Sequence, residues 1–242
     1  MVTTMLYSPR HSIAFAHYPK TAGHSLVKWF RATFPDARFI NPDPIHPVSH
    51  LSVRESLDRL GIAPQPFRFL GRSGRNAVGS LARHILPFPQ PQLRIIGVVR
   101  EPMSMLVSLF EYWKTYDFGT EPITPLIAAA RTGSFPTFLH RAVVRRELPK
   151  YDNFFDVGGE LRANTRLLDL ESLDDDLDAL TDEWGIESPV PRLDRCNVGP
   201  RQVRDLSPYV DEAGALATVA RSYFGWYYRR QAAVAAAPRR AA

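Results

Sequence analysis

Between His17 and Ser25 the chain reads His-Tyr-Pro-Lys-Thr-Ala-Gly-His-Ser. Lys20 supplies a mobile point charge and Ser25 a hydroxyl. Where such a run joins a buried strand to a helix, free backbone N–H groups and the helix dipole favour an anion, so the segment has the makings of a phosphate cradle. It lacks the Gly-Lys-Ser/Thr ending of a Walker A loop. The plainer alternative is a strand-to-helix turn in which Pro19 and Gly23 set the geometry and Ser25 caps the helix.

A second run, Arg-Glu-Pro-Met-Ser-Met-Leu-Val-Ser, spans Arg100 to Ser108. An Arg fork with a hydroxyl beside it is a good phosphate receptor. Ser108 follows at a spacing of about two helical turns, so its hydroxyl can lie along the same side as a group held at Arg100. Here too a plainer alternative stands: a surface Arg at a sheet edge and a Ser in a helix packing contact.

These residues need elements to position them. Ser12–His17 is a short apolar run of the kind a buried parallel strand shows. From Ser25, Leu26, Trp29, Phe30 and Phe34 recur at helical spacing until Pro35. A second strand is expected at Arg38–Ile40. Leu93–Val99 is the clearest strand, and Arg100 emerges from its carboxyl end, where open α/β sheets place ligands. A helix follows from Pro102, with helical patterns again at Pro125–Ala130 and Phe135–Arg146. Arg166–Leu170 reads as a strand, Leu173–Trp184 as an acidic amphipathic helix, and Asp211–Tyr228 as a final helix. The proline-rich stretch 41–92, with helices expected at Ser52–Leu60 and Arg75–Ile85, reads as an insertion lining a site. Residues 232–242 read as a frayed tail. The whole is expected to be one α/β domain over 1–242, an open, mostly parallel sheet with helices on both faces.

Composition fits a globular domain: 242 residues, 45% hydrophobic and 23% charged. The net charge of +5, from 30 Lys+Arg against 25 Asp+Glu, agrees with an anionic partner and equally with simple solubility. No Lys/Arg run is dense enough for duplex nucleic acid, which is not expected as a partner. Cys196 is the single cysteine, so neither an intramolecular disulfide nor a thiolate metal cluster can form within the chain. No apolar stretch approaches the roughly 18 residues of a membrane span, and no secretory signal is evident. The expectation is a soluble cytoplasmic protein, its oligomeric state open.

The two runs together resemble the PAPS-dependent sulfotransferases, where PAPS is 3′-phosphoadenosine-5′-phosphosulfate. The similarity is to the carbohydrate and heparan-type branch and its bacterial relatives, which carry a Pro-Lys-Thr-Ala/Gly-Gly loop. The resemblance implies a P-loop-like central parallel sheet flanked by helices. It implies that Lys20 contacts the phosphosulfate and its leaving oxygen, and that Thr21, Ala22, Gly23, His24 and Ser25 wrap the 5′-phosphate. Arg100 and Ser108 would bind the 3′-phosphate, and the Asn197–Arg201 region, with Arg201 itself, would close over the nucleotide. PAPS would be the co-substrate, adenosine 3′,5′-bisphosphate the product, no metal would be needed, and the acceptor would be a small molecule or glycan.

His24 stands where the family has Thr or Ser, Met105 where Arg is frequent, and Glu101 where Asp is frequent. Of the seven histidines, His84 occupies the segment in which relatives place a catalytic base, although Arg83 replaces their glycine. His46 and His50 are rivals for that role, and His17 reads as structural. Two other functions fit less well: a P-loop kinase or NTPase, and a catalytically silent glycan-binding protein on the same fold.

Overall fold

The structure, a computed structural model, describes residues 5–40, 52–60, 93–117, 119, 123–155, 165–186, 193 and 205–236. The expected helix at Arg75–Ile85, and His46, His50, His84, Asn197 and Arg201, lie outside the described residues.

Five strands form one sheet: β1 (Leu6–Ser8), β2 (Ile13–Ala16), β3 (Arg38–Phe39), β4 (Arg94–Val99) and β5 (Thr165–Asp169), in the order β3-β1-β2-β4-β5. β2, β4 and β5 run parallel, with Ala16 opposite Gly97 and Gly97 opposite Leu167. The sheet is nevertheless mixed, with two of its four pairings antiparallel, which corrects the expectation of a mostly parallel one. β1 pairs antiparallel with both β2 and β3. Its short link to β2, Pro9–Ser12, has room only for a hairpin return, whereas a parallel neighbour needs a crossover. Three residues of Leu-Tyr-Ser carry too little pattern to announce such a strand.

Alternation along the strands separates two cores. On one face Leu6, Ile13, Phe15, Ile96, Val98 and Leu168 meet Leu26, Trp29 and Phe30 of α1 (Gly23–Thr33). Leu173, Leu177 and Leu180 of α7 (Leu173–Trp184) pack beside them. On the other face Ala14, Ala16, Ile95 and Val99 meet Met105, Leu106 and Leu109 of α3 (Pro102–Thr115). Helices thus cover both faces. The remaining elements are α2 (Val53–Leu60), α4 (Pro125–Thr132), α5 (Phe135–Leu139), α6 (Tyr151–Phe154), α8 (Ser207–Ala213), α9 (Ala215–Tyr223) and α10 (Gly225–Ala236).

The continuous helix expected to Arg146 is α5 followed by a π-helical turn, His140–Val144, closed by the Arg145 N–H on the His140 carbonyl at 3.0 Å. The single last helix is three. Gly214, at φ 52° and ψ −125°, holds a backbone conformation that side chains disfavour, and it breaks α8 from α9. The expected frayed tail is helical as far as Ala236, because its alanines are strong helix formers. No described helix is long and apolar enough to cross a membrane.

Candidate functional site

The carboxyl ends of the adjacent parallel strands β2 and β4 deliver the His17–Ala22 loop and Arg100 to one place. α1 begins at Gly23 with Ala22 before it and no side-chain cap, so Ser25 is a buried first-turn residue and not the cap. The reason is local: the chain turns through left-handed backbone at Lys20 (φ 61°) and Ala22 (φ 59°), which starts the helix earlier than the apolar spacing implied. Each left-handed non-glycine residue stores about 1 kcal/mol or more, and alternating handedness makes successive N–H groups converge, as in anion-binding nests. Thr21 is fully buried, and its hydroxyl donates to the Tyr18 carbonyl at 2.8 Å. Its side chain therefore braces the turn and does not point out to a ligand. Gly23 is required by contact, since a Cβ there would overlap the His17 ring at Nε2. His17, only 8% exposed, packs onto the loop it precedes, as its structural reading implied.

Arg100 is half-buried directly after β4. Its Nε donates to Ser104 Oγ at 3.0 Å, and Nη1 lies 3.5 Å from the Lys20 carbonyl. The residue joined to Arg100 is thus Ser104, in the first turn of α3, with Ser108 one turn further along the helix. Sequence reasoning missed Ser104, although its spacing of four from Arg100 was a usable signal. Glu101 bonds in two directions. Its Oε2 caps α3 by accepting the Ser104 N–H at 2.6 Å, and its Oε1 accepts the Tyr228 hydroxyl at 2.7 Å. Met105 lies fully in the core. Behind the corner, α10 fastens the end of β5: Arg230 donates to Asp169 at 2.8 Å and to the Leu167 carbonyl at 2.7 Å.

Ser104, Ser108, Tyr112 and Tyr116 recur every four residues along the half-buried side of α3 and its C-cap. A step of four slightly exceeds one turn, so they form a single slowly winding stripe. Arg100 is bound at one end of it. Further along, the Lys20 ammonium sits 4.1 Å from the centre of the Tyr112 ring. Ser108 lies between the two cations in the stripe.

Electrostatics set these cations apart from ordinary surface charges. Burial first, then the Arg100 charge, lower the Lys20 pKa from 10.5 to about 8. Burial also lowers that of Arg100, partly offset by Glu171. Burial and then Lys20 push His24 below the usual histidine value, so its neutral ring dominates at pH 7. Among the described residues neither Lys20 nor Arg100 makes an ion pair. Among the described residues their direct contacts are a hydroxyl, a carbonyl and a ring face, while Glu171 and Glu101 act on Arg100 through their charge without a bond to it. Two desolvated cations side by side are costly unless an anion completes them.

No known protein family, curated protein or solved structure matches this chain. The arrangement must be read from its own chemistry.

A cavity of about 660 Å³ lies along β5, α7 and α10, lined by Glu101, Asp169, Glu171, Asp176, Tyr227 and Arg230 among others. Lys20 and Arg100 do not line it, and its carboxylates would repel a phosphate. The two-cation corner is therefore the better anion site. Tyr151 and Phe154 are each 1% exposed and belong to the core, while Tyr116 stays half-buried at the end of the stripe. Phe67, Phe69, Phe88 and Phe118 lie outside the described residues.

Proposed function

We propose that this chain is a PAPS-dependent sulfotransferase with a P-loop-like fold, acting on a hydroxyl or amine of a carbohydrate or glycoconjugate. The observation that carries the reading is the pair Lys20 and Arg100: half-buried cations at the ends of neighbouring parallel strands, neither of them in an ion pair with a described residue. The motif resemblance of His17–Ser25 and Arg100–Ser108 supplies the donor's identity.

In this reading Arg100 and Ser108 take the 3′-phosphate, while Lys20 and the N–H groups heading α1 take the 5′-phosphosulfate. The acceptor oxygen or nitrogen attacks sulfur in line with the bridging oxygen. The new bond to sulfur forms as the bond to the bridging oxygen breaks, and that electron pair stays on the nucleotide phosphate. Lys20 stabilises the charge developing there. The acceptor proton passes to a base, assigned to His84, whose imidazole suits neutral pH.

Two measurements test the reading. Adenosine 3′,5′-bisphosphate is expected to bind without Mg²⁺ while ATP binds poorly; the reverse preference would favour a kinase or NTPase. A screen of glycans with radiolabelled PAPS is expected to yield labelled acceptor, and failure across all classes alongside tight nucleotide binding would favour a silent binding protein. With a working acceptor, His84→Ala should lower kcat strongly and leave donor binding near wild type. Loss of turnover in His46→Ala or His50→Ala, with His84→Ala active, would move the base into the proline-rich stretch.

A further inference from the structure

We propose that Tyr112 is the positioning residue for Lys20, its ring fixing the ammonium at the loop without neutralising it. The proposal deepens the sulfotransferase reading and rests on it only for what Lys20 does to the donor; the contact is a matter of geometry.

The Lys20 backbone is pinned in left-handed conformation, which fixes where its side chain starts, and Tyr112 fixes where it ends. Behind that ring Tyr116 packs at 4.8 Å between centroids, so the ring is itself held. The same helix holds Arg100 through Ser104. One rigid element, α3, thereby sets the spacing of both cations, and a site on rigid elements keeps its geometry better than one on loops.

The choice of a ring has a consequence. A carboxylate at position 112 would also localise Lys20, but it would cancel the charge and compete with an incoming anion. A ring face attracts the cation through its quadrupole, more strongly when the cation is desolvated, and leaves its net charge available. Lys114 shows the other arrangement on the same helix: it lies 4.9 Å from the Phe110 ring centre and also 3.2 Å from Glu111. Lys20 has the ring without a carboxylate among the described residues.

The chain contains four lysines, Lys20, Lys28, Lys114 and Lys150, so the intact protein labelled with ¹³C at lysine Cε gives a readable spectrum. The Lys20 methylene is expected to be shifted upfield by the ring in wild type and in Tyr112→Phe, and to lose that shift in Tyr112→Leu. In calorimetry with adenosine 3′,5′-bisphosphate, Tyr112→Phe should bind within about twofold of wild type, and Tyr112→Leu about tenfold more weakly. Tyr112→Glu should bind more weakly still although Lys20 remains localised. Should Tyr112→Leu not fold, Tyr112→Gln carries the same expectations. A Lys20 methylene without an upfield shift in wild type, or a shift that survives in the Leu or Gln variant, would show that the Tyr112 ring does not hold the ammonium, and either result overturns the proposal. Nucleotide affinity unchanged in those variants overturns it too. If wild type binds no adenosine 3′,5′-bisphosphate, the sulfotransferase reading fails while the spectra still decide the role of Tyr112.

Discussion

Tyr18 meets Tyr151 edge-on, with ring centroids 4.7 Å apart, and the pair ties the candidate loop to Arg100. Tyr18 donates to the Pro149 carbonyl at 2.6 Å, and Tyr151 to the Arg100 carbonyl at 2.9 Å. Both rings are essentially fully buried. Two motifs far apart in sequence thus share one aromatic support.

That support is open to a conservative test. Tyr151→Phe keeps the ring and removes the hydroxyl, stranding the Arg100 carbonyl. Stability should fall by about 1–2 kcal/mol, read as a lower urea midpoint at unchanged m. Affinity for adenosine 3′,5′-bisphosphate should fall a few-fold as the Arg100 corner loosens. Normal affinity in the destabilised variant would show that the corner does not depend on this bond.

Arg100 should discriminate between nucleotides. Arg100→Ala is expected to weaken adenosine 3′,5′-bisphosphate by tenfold or more, from the roughly 1.5–3 kcal/mol of a charge-assisted contact. Adenosine 5′-phosphosulfate, which lacks the 3′-phosphate, should be far less affected. Ser104→Ala should reproduce a fraction of this loss by releasing Arg100 Nε, and equal losses for both nucleotides would place Arg100 elsewhere.

Lys20 should trade stability against binding, with a pH signature. Its pKa falls from 10.5 when unfolded to about 8 when folded. Below pH 8 both states hold the proton and the folded state bears the whole penalty; the penalty fades as pH rises from 8 to 10.5. Lys20→Met should therefore raise Tm most near pH 7 and least near pH 10. Nucleotide affinity of wild type should decline above pH 8, and that of Lys20→Met should be low throughout. A Tm gain independent of pH would point to packing instead of charge.

Gly23 and His17 should be coupled. Alanine suits a helix better than glycine by about 1 kcal/mol, yet at position 23 its Cβ would overlap the His17 ring. Gly23→Ala alone should destabilise by about 1–3 kcal/mol. In a His17→Ala background the same change should be neutral or stabilising. Additive effects in the double-mutant cycle would mean that the ring simply moves aside.

Much of this was written in the sequence. β2, β4 and β5 were legible because buried parallel strands are short apolar runs, and α1, α3 and α7 because their apolar residues recur at helical spacing. The placement of Lys20 and Arg100 at strand ends followed from those patterns. Other features depend on contacts that no local pattern encodes. β1 is visible only once β2 and β3 flank it. Glu101 acquires its role from Tyr228, in the last helix. The hydroxyl of Thr21 looked like a ligand group until the left-handed turn at Lys20 directed it inward. Tyr112 gives no signal in the sequence, because a ring's partner across a loop leaves no trace in spacing.

The mixed sheet bears on how a ligand would act over time. β1, β2, α1 and β3 form one contiguous stretch closed by local pairing, whereas β2 finds β4 only across the long proline-rich segment. Local closure is fast and distant pairing slow, so the two cations lie on opposite banks of the seam expected to zip last. An anion bridging them acts as a clasp on that seam. Its effect should fall on the rate at which the folded chain opens and scarcely on the rate at which it forms, lengthening the protein's lifetime more than it speeds its assembly.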